Sequence, residues 1–215
     1  MPTSLLSTGV QFPDNSVQGI ASNYILRAYT TPATWTKPTG LRSVKVTVIG
    51  AGGNGGNGST FPGDPSVVYT GSNGGGGGGS IRYLDSPAIP GPISVTVGTA
   101  PSKTSSFGPL VSATGGTNGG NAPTMSLGPA GPFAGGTGSG GTINFTGGSG
   151  DLTPENTGSQ SGYAALGFGS GLPGGQIQRP AGAAGINYGG GALGRTGPGT
   201  VASGGAGIVI VEEFY

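Results

Sequence analysis

GSNGGGGGGSIRYLD, residues 71–85, joins six consecutive glycines, 74–79, to a short segment with the look of a β-strand. The glycine run carries no charge, no apolar side chain and no reactive group. Ordering a glycine costs more backbone entropy than ordering any other residue, and the backbone term is about 1–2 kcal/mol per residue. A side-chain core cannot offset that cost here, so an ordered run must pack main chain against main chain. The polyproline-II conformation suits this purpose: it turns every three residues, rises about 3.1 Å per residue and makes no internal hydrogen bonds. Each N–H and C=O then needs a partner on a neighbouring segment. Neighbours approach closely enough only where the facing positions lack a Cβ. The six glycines are therefore expected to form one rod at the crowded centre of a bundle.

The composition sets this run in context. The chain has 215 residues, of which 52 are Gly and 18 Pro. Such a share without a strict repeat usually marks a low-complexity chain. Disordered chains, however, are charged and poor in aliphatics, whereas here only 7% of residues are charged and 33% are hydrophobic. The net charge is +1, with Lys and Arg scattered, which leaves no electrostatic footprint for nucleic acid. There is no Cys and no His, which removes thiolate and imidazole metal sites, thiol nucleophiles and Ser-His-Asp chemistry. No window approaches 18 consecutive apolar residues, and MPTSLLSTGVQFPD lacks the pattern of an export signal.

Only Gly9, Gly19 and Gly40 precede position 50, which marks a change of composition. Residues 1–34 are read as an attachment or trimerisation segment and 35–215 as the main domain. In the first, GVQFPDNSVQGIAS suggests a hairpin bending at Pro13, Asp14 and Asn15. In the second, period-two alternation predicts framing strands at 44–49, 80–85, 93–97 and 208–214. Val44, Val46 and Val48 form one face of SVKVTVIG, and Ile93, Val95 and Val97 one face of GPISVTVG. GIVIVEEFY is apolar on both faces through Val211, as an interior strand would be. Its Glu212 and Glu213 are expected to be surface charges at the strand end. Nothing has a helical period, so essentially no α-helix is expected. Triplet glycine spacing recurs at 128–133, 138–143, 147–152, 182–187 and 194–199, in runs too short for a collagen helix. The fold class is thus mainly β and irregular, with short strands framing a sandwich of glycine-rich polyglycine-II helices.

Gly50, Gly52 and Gly55 have the G-x-G-x-x-G spacing of a dinucleotide site. That motif needs a following helix and an acidic residue about twenty positions on; GNGSTFPGDPSVV and TGSNGG supply neither, so no cofactor is expected. Asp151 and Glu155 in GDLTPENTG suit a solvated loop better than a glycosidase pair. Asp64 and Asp151 lack calcium-ligand spacing, and no metal is expected. The segments between glycine runs are richer in anchors. They hold Phe61, Tyr69, Phe133, Phe145, Tyr163, Phe168, Arg179 and Tyr188. Aromatic and Arg side chains on loops held by a rigid scaffold commonly dominate recognition.

WTKPTGLRSVKVTVIGAGGNGG, GGGGGGSIRYLD, GPISVTVG, SSFGPLVSATGG and the closing GGAGIVIVEEFY together resemble the glycine-rich domain of bacteriophage tail-fibre proteins. The resemblance spans Trp35 to Tyr215 in order. GVQFPDNSVQGIAS is similar to the FPDG-T-VQ element near the ends of phage fibres, with Asn15 in place of the usual Gly. In composition the chain also resembles the polyglycine-II sandwich of T-even-like tip adhesins. The resemblance implies a non-enzymatic receptor-binding protein of the virion, at the tail fibre or tail tip. A bacterial surface glycan or outer-membrane protein would be its receptor, and other fibre or baseplate subunits would be its neighbours. It also implies a homotrimer, with a monomeric cap as the second choice, and a short tip or adaptor subunit without a shaft. Two other readings stand beside it: a purely structural virion component, and a polyglycine-II ice-binding protein, which would need a flat regular face that these varied loops do not offer.

Overall fold

The computed structural model describes residues 4–6, 9–11, 17–19, 24–61, 63–99, 103–122, 133–150, 161–165, 176–180, 182–186 and 188–215. Strands β1 (Ser4–Leu6), β2 (Gly9–Gln11) and β3 (Val17–Gly19) form an antiparallel sheet in that order. β2 and β3 are the two arms of the expected hairpin; its bend, 13–15, lies outside the described residues. Next come β4 (Tyr24–Tyr29), β5 (Ala33–Trp35), β6 (Ser43–Ile49), β7 (Ser59–Phe61), β8 (Asp64–Tyr69) and β9 (Gly79–Asp85). They are followed by β10 (Ile93–Thr96), β11 (Ser105–Phe107), β12 (Val111–Ala113), β13 (Gly138–Ser139) and β14 (Ile143–Phe145). β15 (Ser161–Ala165), β16 (Gln176–Pro180) and β17 (Ile208–Phe214) complete the set. A 3₁₀ turn at Ser86–Ala88 is the one helical element among the described residues.

Two five-stranded antiparallel sheets dominate, ordered β13-β12-β11-β10-β5 and β14-β9-β6-β17-β4. They stack face to face over one core, with Trp35, Ile93, Val95, Phe107 and Val111 from the first sheet and Val44, Val46, Val48, Leu84, Val209 and Val211 from the second. The Trp35 and Phe107 rings lie 5.4 Å apart, tilted. Alternation along β6 buries Val44, Val46 and Val48, each worth roughly 1.5–3 kcal/mol in transfer terms. The expected framing strands are all present, and β17 is interior, paired to β6 on one side and β4 on the other. Residues 24–35 are woven into both sheets, β4 on β17 and β5 on β10.

Glu213 corrects a sequence expectation. It is not a surface charge at a strand end: its side chain is fully buried. Its position in β17 is in phase with Val209 and Val211, so the pleat turns it into the sandwich. Trp35 Nε1 donates to its Oε1 at 2.7 Å, Arg27 Nε to the same oxygen at 2.8 Å, and the Tyr215 hydroxyl to Oε2 at 2.9 Å. Burial pushes the carboxyl pKa up, but these donors outweigh it and hold the group below the ordinary carboxylate value. Glu212 is on the opposite face, paired with Lys45 at 2.7 Å.

The glycine segments all join the sandwich at one end. Ile49 pairs with Gly79 and with Ile208, Ala113 with Gly138, and Phe145 with Gly79. Beyond these pairs the ladder continues with a different step. Gly50, Gly53 and Gly56 N–H donate to the carbonyls of Gly78, Gly75 and Ser72. Gly116, Gly119 and Ala122 donate to Ala51, Asn54 and Asn57; Ala192 and Arg195 donate to Gly53 and Gly56. The register steps by three residues where the sheets step by two. In the hexaglycine the direction rotates with each residue: Gly74 and Gly77 donate to Ala192 and Gly189, Gly75 and Gly78 to Thr117 and Thr114, and Gly76 to Gly148, all at 2.7–3.0 Å. Gly74–Gly79 are all buried.

A side chain has no room in this part of the molecule. A Cβ on Gly50, Gly53 or Gly56 would strike the carbonyl of Thr114, Thr117 or Gly120; on Gly52 or Gly55, that of Gly190 or Leu193. These contacts account for the G-x-G-x-x-G spacing, whose open faces are occupied by the protein's own main chain. Two triplet-spaced stretches are not rods. Residues 138–143 hold β13 and a turn at Gly140 (φ 76°), and 194–199 hold a turn with Gly197 and Gly199 at φ 72° and 151°. Both interrupt the hydrogen-bonded step because the chain must reverse there.

This packing and the buried carboxylate are each open to test. A Cβ at Gly77 would overlap the Gly50 carbonyl, while one at Gly91 would meet nothing within 4 Å. Gly77→Ala should therefore cost about 3 kcal/mol or more through overpacking, and Gly91→Ala should stay within about 0.5 kcal/mol, as read by denaturant unfolding; equal effects would contradict the packing. For Glu213 the depressed pKa stabilises the fold above the unfolded carboxylate value of about 4.3. That contribution is lost as pH falls through the lower folded value. Glu213→Gln should melt below the wild type at pH 7, and the gap should narrow as pH falls from about 5 to about 3; a gap independent of pH would contradict it.

Candidate binding surface

The glycine segments run between the sandwich and a far end, where several of the connections between them are made. The chain leaves there at Gly58 and returns at Gly71 through β7 and β8; it leaves again at Ala122, Gly150 and Arg195. The β7–β8 hairpin is anchored by a Thr70–Thr196 bridge, with the two hydroxyls 3.0 Å apart, and by Gly197 N–H donating to Tyr69 O at 3.1 Å. Its register shifts between Thr60 and Phe61. β15 and β16 form a second antiparallel ribbon, with Gly162 opposite Arg179 and Tyr163 opposite Gln178. On either side of it in the chain, Gly150 is bonded to Phe133 and Gly182 donates to Gly194 O at 2.8 Å.

The eight anchor residues expected from the sequence divide by position. Tyr69 is half-buried at the end of β8, and Phe61 is in the paired strand β7. Phe133 is half-buried in its bridge to Gly150. Tyr163 and Arg179 lie in the β15–β16 ribbon, while Phe168 lies outside the described residues. Phe145 and Tyr188 are elsewhere. Phe145 belongs to β14, opposite Gly79, and so to the sandwich. Tyr188 is exposed on a turn whose neighbour Gly189 bonds to Gly77 and Ala206, near the junction of sandwich and glycine segments. Both lie between glycine runs in the sequence, but which end a connection occupies depends on the chain direction of each run.

Two features escape the sequence reading. Asn54 and Asn57 are three apart, as are Asn118 and Asn121. Asn118 Oδ1 accepts from Asn54 N–H at 2.9 Å, Asn121 Oδ1 from Asn57 N–H at 2.8 Å, and Asn54 Oδ1 from Gly204 N–H at 3.0 Å. Their side chains supply acceptors where an edge lacks a neighbouring carbonyl. The signal for them is the spacing in GGNGGN and NGGN. The other feature is Arg195, whose guanidinium lies against Gly199 and whose buried Nε has no hydrogen-bond partner. It puts a cation with hydrogen-bonding capacity at the far end.

Among the described residues this end carries Tyr69 and Phe133, both half-buried, and Arg195, whose Nε is buried, on a closely packed base. Neither the protein-family models nor the curated protein sequences contain a match to this chain.

Proposed function

We propose that the protein is a receptor-binding protein of a bacteriophage virion, acting at the tail fibre or tail tip. Its glycine segments form a polyglycine-II sandwich framed by the β-sheets, and its distal loops recognise a bacterial surface glycan or outer-membrane protein. The three-residue hydrogen-bond step of the glycine segments, against the two-residue step of the strands, is the observation that carries the scaffold reading. That step matches the three-residue turn of polyproline-II, with bonds leaving in several directions.

The functional reading adds the sequence resemblance to this scaffold. Loops on a rigid base recognise ligands at low entropic cost, because the base is already ordered. Tyr69, Phe61, Tyr163, Phe168, Arg179 and Arg195 are the anchors of choice, with aromatic faces for sugar rings and guanidinium groups for acidic substituents. Several copies on one virion would multiply a modest affinity by about 10² to 10⁴. No catalytic step is part of this reading.

Replacing residues 151–168 with a Gly-Ser linker of equal length tests it. Binding of the purified protein to a panel of bacterial strains should be lost or redirected, with Tm changed by less than about 4 °C. Unchanged strain binding would contradict the adhesin reading and favour a structural component.

A further inference from the structure

Residues 199–205 run antiparallel beside 52–58 and bond to them with the three-residue step. Gly52 N–H donates to Gly205 O at 2.8 Å and Gly55 N–H to Ala202 O at 3.0 Å, while Gly204 N–H donates to Asn54 Oδ1 at 3.0 Å. One step further, the same register sets Gly58 opposite Gly199 and Asn57 opposite Val201. The ladder stops short of both. Arg195, held beside Gly56 by its own N–H to Gly56 O at 2.9 Å, lays its guanidinium against Gly199 at this point. The chain turns away there, with Gly197 at φ 72° and Gly199 at φ 151°. Among the described residues, two buried side-chain atoms have no hydrogen-bond partner: Asn57 Oδ1, an acceptor, and Arg195 Nε, a donor. The register brings both to this one break. Buried polar groups are normally paired, so two orphans of opposite polarity at one place call for a ligand that supplies both complements.

We propose that this break is a subsite for a sugar carrying a carboxylate, a step that rests on the receptor-binding reading and narrows its receptor to an acidic surface glycan. Charge sets the first requirement. The ion pairs among the described residues are Arg27 with Glu213 and Lys45 with Glu212, and Arg195 is in neither. A cation with a buried edge and no counter-ion favours an anionic ligand, and a carboxylate takes Nε and the neighbouring Nη side-on as a bidentate pair. Asn57 sets the second requirement. Its unpaired Oδ1 needs a donor, which a bare carboxylate does not have. A ring bearing an acid and a neighbouring hydroxyl meets both demands in one small rigid unit. The position suits the role as well. The β7–β8 hairpin closes beside the break, with Gly197 N–H on Tyr69 O at 3.1 Å. The turn against which the guanidinium lies, 198–201, is exposed throughout, so entry of a ligand displaces surface chain and not the buried layer.

Titration of the full chain with glucuronate, glucose and acetate tests this, read by the ¹H–¹⁵N signal of Arg195 Nε. Glucuronate should shift that signal and bind about tenfold or more tightly than glucose, which lacks the acid, and than acetate, which lacks the hydroxyls. Arg195→Gln and Asn57→Asp should each weaken glucuronate about tenfold or more, with Tm within about 4 °C of the wild type. The wild-type comparison needs no substitution, so it decides the matter even where a variant fails to fold. An Nε signal unmoved by about 50 mM glucuronate, acetate binding as tightly as glucuronate, or a Glu-containing peptide binding more tightly than either would overturn the proposal. Binding to the strain panel separates it from the reading beneath it. Strain binding kept by Arg195→Gln but lost on replacing residues 151–168 overturns the acidic-sugar subsite alone, whereas strain binding kept by both variants overturns the receptor-binding reading as well.

Discussion

Main-chain hydrogen bonding between segments that touch without side chains is the constraint on which this structure depends. The Gly50 carbonyl lies where a Cβ on Gly77 would have to be, and the Gly50 amide is bonded to Gly78. Neither contact survives if the backbones move apart by a methyl group. Ordering so many glycines is entropically expensive. What offsets it is the completeness of the bonding: across Gly74–Gly78 every amide finds a carbonyl, on three different segments. Close-packed main chain replaces the hydrophobic core that so glycine-rich a stretch cannot build.

The sandwich and the glycine layer have separate tasks within one continuous arrangement. The sheets supply an ordinary apolar core, and their strand ends set the register in which the glycine segments begin. Ile49, Gly79 and Ile208 are paired as strand residues, and one residue later the step has changed from two to three. The far end is then free to vary. The β7–β8 hairpin and the Arg195 guanidinium are found there, while the Asn54, Asn118 and Asn121 side chains complete the bonding of the layer itself. Glu213, at the opposite end, fastens β17 to Trp35 of the other sheet, so the two sheets are joined by a polar contact as well as by packing.

Much of this arrangement is legible in the amino-acid sequence. Strict alternation at Val44, Val46 and Val48 and at Ile93 and Val95 locates the framing strands, because a half-buried pleat demands it. The need for glycine at close approach is equally legible in residues 74–79. Direction and burial of single residues are not. Triplet spacing at 138–143 and 194–199 reads the same in a rod as in a turn, since glycine serves close approach and positive φ alike. Phe145 and Tyr188 read as residues of segments between glycine runs, and local sequence does not tell which end of a bundle such a connection occupies. Glu213 reads as a terminal charge until Trp35, 178 positions away, is placed beside it.

Native-state hydrogen exchange of the Gly74–Gly78 amides tests the central claim most directly. If these amides are bonded inside a close-packed layer, they should exchange as slowly as those of Val46 and Val209 in the core strands, through global unfolding. Exchange at the rate of an unprotected chain, while Val46 and Val209 stay protected, would contradict the account.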